Sequence, residues 1–259
     1  MLPYFEVHDR GRGPYLLMLH GFLSSRAQWR LNIDALAQVA RPVLVEVLGH
    51  GRSPAPEDPE AYRVSAYIEA FDAIRRQLGA DRWVICGQSF GAGVTMHYAL
   101  HRPERVIGQI VTNSNSAFSP VDPTDLDTRA RQAEQGGLPA IEAMRVHPKH
   151  ARRLPPAVRD ELLADAALIS PLGISRSLRV TRPDSTMIDK LEQVSVPTLL
   201  VNGRHEKKFQ PLRDRAAARI PGCRVVDLPG GHAVNIDAAE GFNAAVTRFL
   251  ATLPAVPAL

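Results

Sequence analysis

Gly87-Gln88-Ser89-Phe90-Gly91 sets a serine between two glycines, where the apolar run Trp83-Val-Ile-Cys86 gives way to a helical pattern holding Gly93, Met96 and Tyr98. A serine is a weak nucleophile until a neighbouring base takes its proton, so it must stand clear of the scaffold within reach of a histidine. A sharp strand-to-helix turn presents it that way, and side chains at the two flanking glycines would collide with so tight a turn. Ser89 is therefore expected to act as a nucleophile or as a hydroxyl that relays a proton.

The base follows from position. Of the nine histidines, His232 lies in Gly230-Gly231-His232, after the apolar stretch ending at Leu228 and before the last helical pattern. Loops at the carboxyl ends of parallel strands converge on one edge of a sheet, where ligands bind. His8, His97, His101, His147 and His150 read as ordinary surface or core residues, and no acid or cysteine cluster accompanies His147 and His150 to make a metal site. A third group must hold the imidazole in one tautomer and stabilise its cation. Glu206 is the one carboxylate in Asn202-Gly203-Arg204-His205-Glu206-Lys207-Lys208-Phe209; Asp214 falls inside a helical pattern, and the loop after Val111 carries no acid. The order Ser89, Glu206, His232 is the order this kind of elbow calls for. Backbone amides of Phe22, after His20-Gly21, and of Phe90 are the expected donors to a developing oxyanion, with their rings lining the pocket.

These residues need a sheet to converge on. Apolar runs at Tyr15–Leu19, Pro42–Val47, Trp83–Cys86, Val106–Val111, Thr198–Val201 and Arg224–Leu228 read as strands. Helical spacing appears between them over Trp29 to Val39, Tyr62 to Leu78, Gly91 to Leu100, Leu212 to Arg219 and Ala238 to Leu250. Such alternation implies an α/β fold with a mostly parallel central sheet covered by helices on both faces. From about Ser119 to Gln193 the chain is rich in proline and arginine, shows helical stretches such as Ala157 to Leu168, and has no convincing strand. The expected division is a core of residues 1–118 and 194–259 with a helical lid, 119–193, inserted in it, and a frayed tail over 254–259.

Together, His20-Gly21, Gly49-His50-Gly51-Arg52-Ser53, the serine elbow, the acid loop and Gly231-His232 resemble the α/β-hydrolase superfamily over nearly the whole chain. The resemblance implies hydrolysis of a carboxylic ester or related small acyl substrate, without cofactor or metal. The acid position in that superfamily is usually aspartate, three residues after its glycine; here it holds Glu206, whose extra methylene asks for a slight backbone retreat. Leu19-His20-Gly21-Phe22-Leu23, Trp29, Ser177-Leu178-Arg179 and Lys208-Phe209-Gln210 look like the menaquinone-pathway succinyl-hydroxy-cyclohexadiene-carboxylate synthase branch, in which the same triad abstracts a proton and pyruvate is expelled. That likeness makes an eliminating synthase the alternative, and a carbon–carbon bond hydrolase, which needs the same machinery, stands beside it. His20, Gln88, Trp29 and Arg179 are the candidates for substrate contact. Serine at the elbow argues against the aspartate nucleophile of dehalogenases and epoxide hydrolases.

Composition narrows the setting. The chain has 259 residues, 45% hydrophobic and 22% charged, enough for one full core and without an unbroken apolar run long enough to span a bilayer. Net charge is only +4 and like charges do not run in blocks, so nucleic acid is not an expected partner. Two cysteines make no disulfide framework, and the first residues lack the pattern of a cleaved signal, so a reducing cytoplasmic setting is expected. Arg145, Arg152, Arg153, Arg176, Arg179 and Arg182 crowd the middle third. A solvated helical surface accounts for such a bias; a guanidinium's bidentate match to carboxylate leaves room for one or two to meet an anionic substrate group.

Overall fold

The computed structural model describes residues 1–9 and 12–254; the tail foreseen over 254–259 falls, past Pro254, outside the described residues. The strands are β1 (Phe5–Val7), β2 (Tyr15–Leu19), β3 (Arg41–Val45), β4 (Trp83–Gly87), β5 (Val106–Thr112), β6 (Thr198–Gly203) and β7 (Arg224–Leu228). They form one 7-stranded sheet in the order β1-β3-β2-β4-β5-β6-β7. Only β1 is antiparallel, through its pairing with β3; the other neighbours are parallel. The sequence pattern did not disclose β1, because three residues are too few to display a period of two. β3 stops short of the run that announced it, since the Val47 amide leaves the ladder to bond the His20 ring.

Strand order reverses at β2. From there the chain steps to β3 on one side, then returns to β4 on the other, so the loops after β2 and β4 leave a crevice between them, where open α/β sheets bind ligands.

The helices are α1 (Arg30–Leu36), α2 (Val64–Gln77), α3 (Phe90–His101), α4 (Asn115–Phe118), α5 (Pro123–Ala143), α6 (Pro156–Ala166), α7 (Pro171–Arg176), α8 (Arg182–Asp184), α9 (Gln210–Arg219), α10 (Val234–Asp237) and α11 (Ala239–Leu250). Alternation along β2 shows why both faces must be covered. Tyr15, Leu17 and Leu19 join Phe71 of α2 and Met96 of α3 on one face. Leu16 and Met18 join Leu36 of α1 and Phe242 and Phe249 of α11 on the other. Each large apolar side chain so buried contributes roughly 1.5–3 kcal/mol.

Between β5 and β6 the chain builds helices only. Leu126, Ala130 and Ile141 of α5 pack with Ala166 of α6, Ile174 of α7 and Leu178 into a separate small core, closed from below by Leu23. Inside α5, Gly137 at φ +59° followed by Pro139 breaks the helix into two pieces. A single π-helical turn, Ser177–Thr181, joins α7 to α8. Among the described residues no helix is long and apolar enough to cross a membrane.

Candidate active site

Ser89 sits at φ +52°, ψ −111°, between β4 and the first turn of α3. A non-glycine residue held there costs about 1–3 kcal/mol and persists only where its surroundings enforce it. They do so through the flanking glycines. A Cβ on Gly91 would stand 2.5 and 2.6 Å from the carbonyl oxygens of Leu19 and His20, and one on Gly87 would stand 2.5 Å from Ala92 Cα. The elbow can therefore be this tight only with glycine at both places. Ser114, at the N-cap of α4, donates its hydroxyl to the Ser89 carbonyl at 2.6 Å and braces the turn from the β5 side.

Ser89 Oγ lies 2.9 Å from His232 Nε2. On the far side of the ring, Nδ1 faces both Glu206 oxygens, at 3.0 and 2.9 Å. An Nδ1–H donated to a carboxylate leaves Nε2 free to accept the serine proton, which is the arrangement a general base requires. Three loops at the carboxyl edge meet here: Ser89 follows β4, Glu206 follows β6, and His232 follows β7. Asn113, just past β5, donates to Glu206 Oε2 at 2.7 Å and also exchanges bonds with Gly203 N and O at 2.8 and 3.2 Å. Asn115 Nδ2 makes a longer contact, 3.4 Å, to Oε1. Burial pushes the Glu206 carboxyl up, but hydrogen bonding and charge from His232, with Asn113 and Asn115, outweigh it and hold the group below its ordinary range. The glutamate is thus ionised and anchored by amide side chains on the neighbouring strand's loop, which takes up its extra length.

The loop after β2 carries the expected amide donors. Among the described residues, the amides of Phe22 and Phe90 donate to no other protein group, and both residues line the cavity above Ser89. Their rings lie 5.7 Å apart between centroids. Leu23 next door adopts φ +54°, a strained value for a branched side chain, and is held by burial in the core of the inserted helices. The helices between β5 and β6 and the loop after β2 are therefore mechanically joined.

His20 has a different place from the one expected of a substrate contact. It is fully buried, donates from Nδ1 to Gly21 O at 2.7 Å and accepts the Val47 amide at Nε2, 3.0 Å away. Burial, reinforced by His50 and only partly offset by the Gly21 bond, pulls its pKa from 6.5 to about 3. It is a neutral strut under the loop after β2. Trp29 is likewise corrected: its side chain packs 6.2 Å from the Phe242 ring beneath the sheet. Arg179 is also turned away from the cavity, onto Asp127 at 2.8 Å, Glu134 at 2.9 Å and Ser175 at 2.8 Å, so it fastens α5 to α7. Gln88 does line the cavity, and its amide donates to the His232 carbonyl at 3.1 Å, tying the elbow to the histidine loop.

The cavity has a volume of about 830 Å³, and its floor holds Ser89, Glu206 and His232 beneath residues of the inserted helices. Of the crowded arginines, Arg145 and Arg182 reach its wall, joined by Arg129. His147 and His150 are also at the wall, but their rings serve local backbone: His147 Nδ1 accepts from Lys149 N, and His150 Nε2 approaches Glu142 O. Asn113, Ser114 and Asn115 are not acids and so give no signal as a third group in the sequence. Their position at the end of a parallel strand is the trace that marks them.

Residues 14–239 match the family described as alpha/beta hydrolase fold. A putative 2-succinyl-6-hydroxy-2,4-cyclohexadiene-1-carboxylate synthase of Bacillus subtilis (strain 168) is 23% identical, over 96% of this chain and 95% of that protein. A putative carbamate hydrolase of Rhizobium rhizogenes is 28% identical, over 95% and 97%. A carboxylesterase of Bacillus subtilis (strain 168) is 26% identical, over 92% and 80%. Among solved structures, the enol-lactonase from Burkholderia xenovorans LB400 superposes with a TM-score of 0.81 at 21% identity, covering 96% of each chain.

Proposed function

The chain belongs to the alpha/beta hydrolase family, and from that membership and the geometry at Ser89 we propose that it is a serine hydrolase of carboxylic esters or related acyl compounds. The observation that carries the proposal is the unbroken hydrogen-bonded line from Ser89 Oγ through His232 to Glu206. In this reading Ser89 Oγ attacks the acyl carbonyl as its proton passes to His232 Nε2. Negative charge on the carbonyl oxygen is met by the Phe22 and Phe90 amides, and losing one such donor costs roughly 2.7–4 kcal/mol in a comparable hydrolase site. The tetrahedral adduct collapses, the leaving oxygen takes the proton from His232, and an acyl-enzyme remains. Water then gives a proton to His232 and its oxygen to the acyl group, which releases the acid and restores Ser89. Glu206 stays ionised throughout and stabilises the imidazolium.

The division into a core of residues 1–118 and 194–259 and a lid of 119–193 is part of the proposal. Packing of Leu23 and Phe22 against the inserted helices supports a lid that shapes the oxyanion loop as well as the pocket. Near full-length likeness to a putative synthase favours a second reading, in which the same line of residues removes a proton from carbon and no acyl-enzyme forms. Hydrolysis of 4-nitrophenyl esters by the wild type and by Ser89→Ala tests the first reading. It requires turnover that disappears in the variant, and a wild type inert toward every acyl chain length sinks it. An acyl adduct seen by intact mass spectrometry during turnover excludes the second.

A further inference from the structure

Arg182 opens α8 immediately after the π-helical turn and is one of the residues lining the cavity that holds Ser89 and His232. Nη1 is buried without a hydrogen-bond partner. Nη2 makes one long contact, 3.5 Å, to Asn115 O. Burial, and then the charge of Arg129, both lower its affinity for a proton, and no carboxylate acts in the other direction. The carboxylates of the wall are engaged elsewhere. Asp122 caps α5 through the amides of Thr124 and Asp125, Asp125 pairs with Arg129 at 3.6 Å, and Glu206 serves His232. Arg179, three residues earlier, is in contrast paired with two acids.

A partly buried guanidinium with one unused donor and the Arg129 guanidinium beside it is costly while no carboxylate pairs with Arg182 itself, the nearby Asp125 being taken up by Arg129. Supplying an anion removes both costs, and a planar guanidinium matches a carboxylate in particular. We propose that Arg182, with Arg129 beside it, forms an anion subsite that receives a free carboxylate carried by the substrate, so that the hydrolase acts on acidic acyl compounds such as monoesters of dicarboxylic acids. The inference deepens the hydrolase reading and relies on it for seating the substrate in this cavity.

Binding tests the subsite apart from the chemistry. Monomethyl adipate and its neutral counterpart dimethyl adipate are titrated calorimetrically into the full chain carrying Ser89→Ala, so that neither is turned over. Monomethyl adipate is expected to bind more tightly than the diester, and adding Arg182→Gln is expected to weaken it roughly tenfold or more, the usual worth of a hydrogen bond to a charged group. Arg182→Lys, which keeps the charge, recovers part of that loss, and matched thermal unfolding shows that both variants are folded. Equal affinity of the two adipates, or an affinity for monomethyl adipate indifferent to Arg182→Gln, overturns the proposal. Failure of the hydrolase reading would appear instead as missing Ser89-dependent ester turnover, with the binding result standing.

Discussion

Asn113 Nδ2 donates to Glu206 Oε2 at 2.7 Å, so the acid of the site is held by an amide from the loop after β5 as well as by the histidine it serves. Two strands thus share the work of fixing one carboxylate, and a glutamate can stand where its longer side chain would otherwise wander.

Removing that amide has two consequences. Asn113→Ala is expected to lower kcat roughly tenfold, the worth of a hydrogen bond to a charged group, with a smaller change in KM. A carboxyl held below its unfolded value of 4.5 contributes stability that is present above that pH and lost as pH falls through the lower folded value. The urea midpoint of Asn113→Ala should therefore lie below the wild type at pH 7, and the gap should narrow in strong acid to what the lost bonds to the Gly203 backbone cost. A deficit of the same size at pH 7 and in acid would mean that the bond to Glu206 contributes nothing.

Glu206→Gln should be far worse for turnover than Asn113→Ala. An amide in place of the acid offers Nδ1 no charge and permits the wrong tautomer, a change worth about 10⁴-fold in kcat in a comparable triad. Steady-state kinetics at pH 7 measures it, and a fall of less than tenfold would remove Glu206 from the line.

His20 and His50 make the fold sensitive to acid. Burial lowers His20 from 6.5 to about 3 and His50 from 6.5 to about 4, so between those values and 6.5 the unfolded chain binds protons that the folded one refuses. Stability is then full above pH 6.5 and declines as pH falls toward 4. Denaturation midpoints over that range should drop, and ring resonances in the folded protein should show both imidazoles neutral at pH 5. Titration of either ring near 6.5 contradicts the account.

Gly91→Ala should not be tolerated. Its methyl carbon would stand 2.5 Å from the Leu19 carbonyl oxygen, and both that strand end and the elbow are too well packed to give way. A loss of about 1–3 kcal/mol or more is expected from chemical denaturation. A variant as stable as the wild type would mean that the elbow is looser than described.

The elbow, the succession of Ser89, Glu206 and His232 along the chain and the strand–helix alternation could be read from the sequence because each leaves a local trace: paired glycines, short apolar runs, loops that recur after them. Arg179 and Arg182 left none. They are three residues apart in one arginine-rich stretch, and whether each meets acids or the cavity depends on a π-helical turn and on where α5 carries Asp127 and Glu134. The places of Trp29 and His20 are hidden from the sequence for a related reason. A motif specifies that a residue stands beside a loop, while its side-chain direction is settled by the core it enters, beneath the sheet for Trp29 and against the Val47 amide for His20.

Labelling with a fluorophosphonate reaches the central claim most directly, because only a serine activated by its base attacks phosphorus rapidly. The account predicts stoichiometric modification located by peptide mass spectrometry on Ser89, abolished by Ser89→Ala and strongly slowed by substitution of His232. An unmodified Ser89, or label on another residue with ester hydrolysis surviving in Ser89→Ala, would contradict it.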